Sequence, residues 1–215
     1  INKCLALRGD DYAWDVAYLP IDPHDIGRTY QEVIRINSQS GKGGVAYVLH
    51  RDHGYDLPRW LQIDFSSAVQ HLAEQSEAEV ASDQIHQLFC DTYLNVPGAW
   101  SLGRYEVTKD EAEHQLTAVL GASDGETQIQ GRGTGVLDAF IDAMEQVTGK
   151  KMVLVEYSEH TLGQSSDAEA VCYVQLNIEG ARPCGVGRSN DIVQATLNAI
   201  LSALQGHCQL TENAA

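Results

Sequence analysis

The stretch Gln128–Val147, QIQGRGTGVLDAFIDAMEQV, decides the fold. It reads as the end of a strand, a glycine corner at Gly131-Arg132-Gly133-Thr134-Gly135, and then a helix. The helix follows from Leu137, Phe140, Ile141, Met144 and Val147, which recur at steps of three and four and so share one face. Glycine serves where a backbone turns sharply or comes close to another group. The first helical turn also leaves N–H groups unpaired at the positive end of the helix dipole, so the corner is a candidate seat for a small anion such as a carboxylate. A similar corner lies at Cys184-Gly185-Val186-Gly187, ahead of a second helix read over residues 190–204. Two strand–glycine–helix units in the last half of the chain predict a duplicated, pseudo-symmetric domain.

Around the first corner, residues 100–107, 114–120 and 127–131 read as strands separated by polar turns such as Ala122–Gly125. Residues 152–159 and 169–178 read as two more, joined by the polar run His160–Asp167, and a short strand precedes Gly185. Strands followed by a helix, twice over, predict an α+β domain across 99–215, with sheet packed against helices. Two such helices on a sheet support a stable domain at roughly 25 cal/mol per Å² of apolar area. Residues 206–215 read as a polar, frayed end.

Before Val96-Pro97-Gly98 the pattern is helical. Leu61, Phe65, Val69 and Leu72 form the inner face of a helix read over 57–72. Ser82 reads as the N-cap of a helix over 83–94, with Ile85, Leu88 and Phe89 inward. Val45–Leu49 is a short apolar run followed by a turn at His50–His53. These elements make a helical subdomain over 42–98. Residues 1–41 form a first linker subdomain. There Pro20 and Pro23 bar a regular helix across 19–22, Asp22 is a plausible N-cap, and Ile26, Tyr30, Val33 and Ile34 give a helical stripe. Arg8-Gly9-Asp10 reads as a turn. The opening INKCLALRGDD has no helix cap before its helical start and reads as a piece of a longer protein.

Several function classes are excluded. A formal charge of −16 is wrong for a nucleic-acid partner, whose phosphates require Lys and Arg. No apolar run approaches the roughly 20 residues of a membrane span. The charge fits a solvated cytoplasmic surface. The five cysteines are scattered without CxxC spacing, which argues against a disulfide framework or a zinc site. The Asn37–Gly44 loop lacks the spacing of a phosphate loop, and Val136 breaks the GxGxxG spacing at the corner. His50 and His53 could pair on a metal, but no third ligand is near. Glu159-His160 and Asp167 could be drawn as an acid–base cluster, although nothing in the sequence brings them together. Neither a metal site nor a bound cofactor is expected in this chain.

The runs YLPIDPHDIGRTYQEVIRINSQSGKGGVAYVL, residues 18–49, and HGYDLPRWLQIDFS, residues 53–66, resemble the linker region of 2-isopropylmalate synthases, in the longer form of that family. The likeness covers nearly the whole chain, most strongly over Trp14–Ser66 and more loosely after Gly98. It implies an acyltransferase that condenses acetyl-CoA with 2-oxoisovalerate at the start of leucine biosynthesis. It places that chemistry in an N-terminal (β/α) barrel with a divalent, zinc-type metal, outside this chain, so that the fragment alone is inactive. It assigns Tyr18 a role in completing the active site of a partner subunit. It further implies a cytoplasmic homodimer and a regulatory domain of two βββα units that binds L-leucine for feedback inhibition. The residues that match the leucine site are Gly133, Gly135, Leu137, Leu154, Tyr157, Thr161, Ala168, Ala170 and Ile192. Ala168 and Ala170 leave room for an isobutyl group, and the larger apolar residues line it. Two positions depart from the pattern. Val136 stands where many relatives carry proline, and Thr161 where some carry alanine. Two rival readings remain. One is the isoleucine-sensing domain of a citramalate synthase, which the long YLPIDPHDIGRTY linker disfavours; the other is a dimerisation module without a ligand site.

Overall fold

The computed structural model describes residues 4, 14–16, 18–28, 42–76, 80–110, 113–123, 125–163 and 168–213. The chain divides into two units, Ile1–Ile34 and Arg35–Ala215. In the first, Leu19 N donates to Val16 O at 3.0 Å and closes a tight turn. The Trp14 indole N–H donates to the Leu19 carbonyl at 2.6 Å. Tyr18 sits at the tip of this turn with φ +68° and is 94% exposed. Asp22 caps a 3₁₀ helix at Pro23–Ile26, and Gly27 ends it in the left-handed region. The Asp22 cap and Pro23 start are as read, and this 3₁₀ turn ends at Gly27. Tyr30, Val33 and Ile34, like Arg8–Asp10, lie outside the described residues.

The second unit begins with helices α1 (Lys42–His53), α2 (Arg59–Ser76) and α3 (Ser82–Phe89), the last running into a π turn at Cys90–Leu94. Val45–His53 is thus helical throughout, rather than an apolar run and a turn. Its buried residues Val45, Val48 and Leu49 lie three and four apart, a helical spacing. Leu61, Phe65 and Val69 are buried as expected, with Ala73 in place of Leu72 as the next buried position. Ala81, not Ser82, is the N-cap of α3, and the Gln84 side chain accepts from its N–H at 2.9 Å. Ser82 Oγ instead donates to Asp52 at 2.6 Å, tying α3 to α1. Tyr55, Phe65, Phe89 and Tyr93 meet at ring separations of 4.8–5.9 Å and form an aromatic core.

Two antiparallel meanders follow, each closed by a helix. The first is β1 (Ser101–Lys109), β2 (His114–Ala122), β3 (Gly125–Gly133) and α4 (Val136–Thr148). The second is β4 (Met152–Leu162), β5 (Glu169–Ile178), β6 (Cys184–Ser189) and α5 (Ile192–Asn213). The duplicated α+β architecture is present, as two separate three-stranded sheets ordered β1-β2-β3 and β4-β5-β6. Each first strand carries one extra residue opposite its partner, between Leu102 and Tyr105 and between Leu154 and Glu156. The repeat therefore extends to a shared β-bulge. The two helices share one core with both sheets, including Leu116, Phe140, Met144, Cys172, Leu176, Leu197 and Leu204.

The last helix runs on through Asn213, so residues 206–213 are not a frayed end. His207 is buried, Gln209 donates to the Pro97 carbonyl at 2.5 Å, and the Trp100 N–H donates to Gln205 at 3.3 Å. These contacts hold a polar segment that sequence hydropathy alone leaves loose. Among the described residues, no helix is long and apolar enough to cross a membrane.

Candidate functional site

The glycine corners are where each strand meets its helix at close range. A methyl group added at Gly131 would lie 2.6 Å from the Ala143 amide nitrogen and would overlap the Ala139 carbonyl. One at Gly133 would lie 2.5 Å from the Ala139 amide nitrogen, and one at Gly187 would lie 2.5 Å from that of Ala199. Each helix answers with alanines four apart, Ala139 and Ala143 in α4, and Ala195, Ala199 and Ala203 in α5. Gly135 differs, since it is the α4 N-cap with open space around it.

Both helix entrances already face carboxylates of the chain itself. Thr134 Oγ1 donates to Asp138, and the Arg132 N–H donates to Asp142 Oδ2 at 3.0 Å. Asp191 Oδ1 accepts from the Val193 N–H at 2.9 Å, and the Tyr105 hydroxyl donates to Asp191 from the other repeat. The Tyr105 hydrogen bond holds the Asp191 carboxyl below its usual range. A generic anion seat is therefore not what these glycines build, because the positive dipole ends already carry negative charge. Their principal work is strand–helix approach.

The two repeats are offset in one respect. Ala139, opposite Gly131, is the fourth residue of α4, whereas Ala199, opposite Gly185, is the eighth of α5. The second helix thus begins one turn earlier. That extra turn carries Ile192, and Thr196 follows it at the position where α4 begins; both lie against β4 and β5. Thr196 Oγ1 lies within hydrogen-bond reach of the Ile192 carbonyl at 2.9 Å and of Cys172 Sγ at 3.3 Å, and its single proton serves one of the two. The Tyr157 hydroxyl lies 3.2 Å from Thr196 Oγ1 and donates to Glu159. Burial, then the Glu159 carboxylate, push the Tyr157 phenol above its ordinary range. The Cys172 thiol is raised as well, chiefly by burial.

The β4 bulge decides which residues share this face. Leu154 pairs with Leu176 and Tyr157 with Val174, so the two lie on the same side although they are three residues apart. Thr161 pairs with Ala170 on that side too. The structure therefore gathers Leu154, Tyr157, Thr161 and Ala170 on one sheet face, beside Ile192 at the helix start. Ala168 stands two residues before Ala170, just ahead of β5. Tyr157 is 37% and Ile192 45% exposed, while Ala170 is buried. Gly133, Gly135 and Leu137 sit on the other repeat. Among the described residues, no hydrogen bond joins them to the Tyr157 face. A cleft of about 540 Å³ lies elsewhere, between Leu94–Val96, Trp100–Leu102, β6 and α5, and none of the nine predicted residues lines it. Glu159 and His160 point to opposite faces of β4, and Asp167 lies outside the described residues. His53 stacks on His86 at 3.9 Å. Among the described residues, no three His, Cys, Asp or Glu side chains are grouped to hold a metal ion. Sequence reading missed Cys172 and Thr196. Only the parity of β5 and the four-residue step from Ile192 to Thr196 pointed to them.

The paired βββα units, preceded by a helical segment, form a duplicated α+β module. Residues 79–207 match the family described as LeuA allosteric (dimerisation) domain. Residues 1–50 match the alpha-isopropylmalate synthase, post-catalytic domain-like family. The chain belongs to the 2-isopropylmalate synthase family. It is 42% identical over 205 residues to the 2-isopropylmalate synthase of Alcanivorax borkumensis, covering 95% of the chain and 37% of that relative. It is 45% identical over 194 residues to that of Rhizobium meliloti (88% and 35%) and 44% identical over 195 residues to that of Thermobifida fusca (91% and 34%). The chain spans about a third of the length of these curated relatives.

Proposed function

We propose that this chain is the regulatory portion of a cytoplasmic 2-isopropylmalate synthase and that it binds L-leucine for feedback inhibition. The observation that carries the reading is the single face of β4 and β5 bearing Leu154, Tyr157, Thr161 and Ala170 beside a half-exposed Ile192. Its small and apolar residues suit an isobutyl side chain. Gly133, Gly135 and Leu137 complete the site from the other repeat, with open space beside Gly135. A homodimer, in keeping with the dimerisation description of the matched family, brings such exposed surfaces together. On this reading the condensation of acetyl-CoA with 2-oxoisovalerate, and its divalent metal, belong to the catalytic part of the synthase. Tyr18, held out on its turn at φ +68°, is presented to a partner subunit's active site.

Calorimetry with leucine, isoleucine and valine tests the ligand. Leucine is expected to bind best; preference for isoleucine would move the chain to the citramalate synthase reading. A folded dimer that binds none of the three would leave only a dimerisation module. In the full-length synthase, Tyr157→Asp is expected to keep activity and weaken inhibition by leucine, because it removes the phenol and puts a second carboxylate on the face beside Glu159. Unchanged inhibition would move the site away from β4.

A further inference from the structure

β4 presents the candidate ligand residues on one face and a different set on the other. Ser158, His160 and Leu162 alternate away from α5. On that side His160 stacks against buried Tyr173, with ring centroids 5.5 Å apart and planes 10° from parallel. Its Nε2 reaches the loop between α1 and α2, 3.1 Å from the Gly54 carbonyl oxygen and 3.3 Å from the Asp56 amide nitrogen. These two contacts require opposite states of one atom. Nε2 must carry a proton to donate to Gly54, and must be bare to accept from the Asp56 N–H. A neutral ring makes one bond at a time. Among the described residues its buried Nδ1 has no hydrogen-bond partner, so no second hydrogen bond from them fixes the tautomer.

The loop is fastened at the neighbouring points as well. Gly54 has φ +77°, and a methyl group there would lie 3.1 Å from Leu162 Cδ2. Tyr55, buried, accepts from Arg188 Nη1 on β6 at 3.4 Å and packs on Phe89. Arg188 is itself paired with Glu169 at 2.7 Å. The loop therefore spans both edge strands of the second sheet, on the side opposite α5. Resting on the leucine site proposed above, we infer that His160 is a positioning residue that couples β4 to the α1–α2 loop, exchanging its Nε2 between the Gly54 carbonyl and the Asp56 amide when ligand binding shifts the strand. Coupling between sites needs an element with two discrete arrangements that the ligand biases. Two mutually exclusive hydrogen bonds from one imidazole supply it, and they connect the ligand face to the helical segment that precedes it in the chain.

Hydrogen–deuterium exchange over residues 54–58, with and without L-leucine, tests this in the 215-residue chain alongside calorimetry. In the wild type, leucine is expected to change exchange at the Asp56 amide by about fivefold or more. His160→Phe keeps the stack on Tyr173 but has no Nε2. It is expected to bind leucine at near wild-type affinity while losing that change. His160→Gln, which keeps a polar group, is expected to recover part of it and guards against misfolding of the first variant. In the full-length synthase, His160→Phe should bind leucine yet need about fivefold more of it for the same inhibition. A wild-type response of the Asp56 amide in His160→Phe overturns the coupling alone. Absence of leucine binding by the wild-type chain overturns the site reading and the coupling with it.

Discussion

Gly131→Ala tests the claim that these glycines set the distance between strand and helix. The added methyl would fall 2.6 Å from the Ala143 amide nitrogen and 3.0 Å from its Cβ, with the Ala139 carbonyl closer still. An ordinary contact is roughly 3.5 Å, so α4 must retreat by about 1 Å. The obstacle is helix backbone, which cannot be relieved by a rotamer change. A radial gap of about 1 Å forfeits up to about half of the dispersion energy of each affected contact. The helix buries Ala139, Phe140, Ile141, Ala143 and Met144 against that surface, so several large contacts weaken together. Overpacking generally destabilises by about 1–3 kcal/mol, and a backbone clash lies at the upper end of that range. For a unit of this size, about 3 kcal/mol lowers Tm by roughly 6–12 °C. Gly206→Ala is the control. Gly206 lies within α5, has open space around it and an ordinary φ. Its replacement should stabilise by about 0.5–1 kcal/mol through helix propensity. Differential scanning calorimetry on both variants reads the contrast. A Gly131→Ala chain that melts with the wild type would refute the close-approach argument, as would equal losses in the two variants.

Asp52 accepts from Arg51 Nε at 2.5 Å and from Ser82 Oγ at 2.6 Å, and these hydrogen bonds, Arg51 first, lower its carboxyl from 3.8 to about 2. A folded value below the unfolded one gives stability that is complete above about pH 4 and lost as pH falls towards 2, worth about 1 kcal/mol for a partly exposed pair. Urea titrations of Asp52→Asn should therefore show a shallower loss across that window, and an unchanged slope would count against the α1–α3 tie. Burial pushes the Cys184 thiol up to about 12 and raises that of Cys172, while Cys4 is exposed. Alkylation at pH 8, read by peptide mass, should modify Cys4 in the native chain and reach Cys172 and Cys184 only on unfolding; rapid native labelling of Cys172 would mean that the Tyr157–Thr196 face is open.

The twofold repeat was legible because its signals are local. Periodicity at 137–147, turn residues between strands, and glycine before each helix all act within a few residues of themselves. The bulges were not, since one extra residue in β4 is defined only by its pairing with β5. Strict alternation from Leu154 would set Glu156 and Ser158 on its face and send Tyr157 to the other. The bulge reverses this, and so gives the physical reason for the odd Leu154–Tyr157 spacing that the family likeness carried over unexplained. Likewise His160 looked like a companion of Glu159, and strand parity separates them. The repeat also misleads in one respect. Equivalent glycine corners invite two equivalent sites, with Gly185–Gly187 as the twin of Gly131–Gly135. The extra turn of α5 removes that equivalence, because it adds Ile192, whose carbonyl lies against Cys172 and Thr196 beside Tyr157. Duplication supplies the scaffold, and a one-turn departure from symmetry sets Ile192 beside Cys172 and Tyr157 in the second repeat alone.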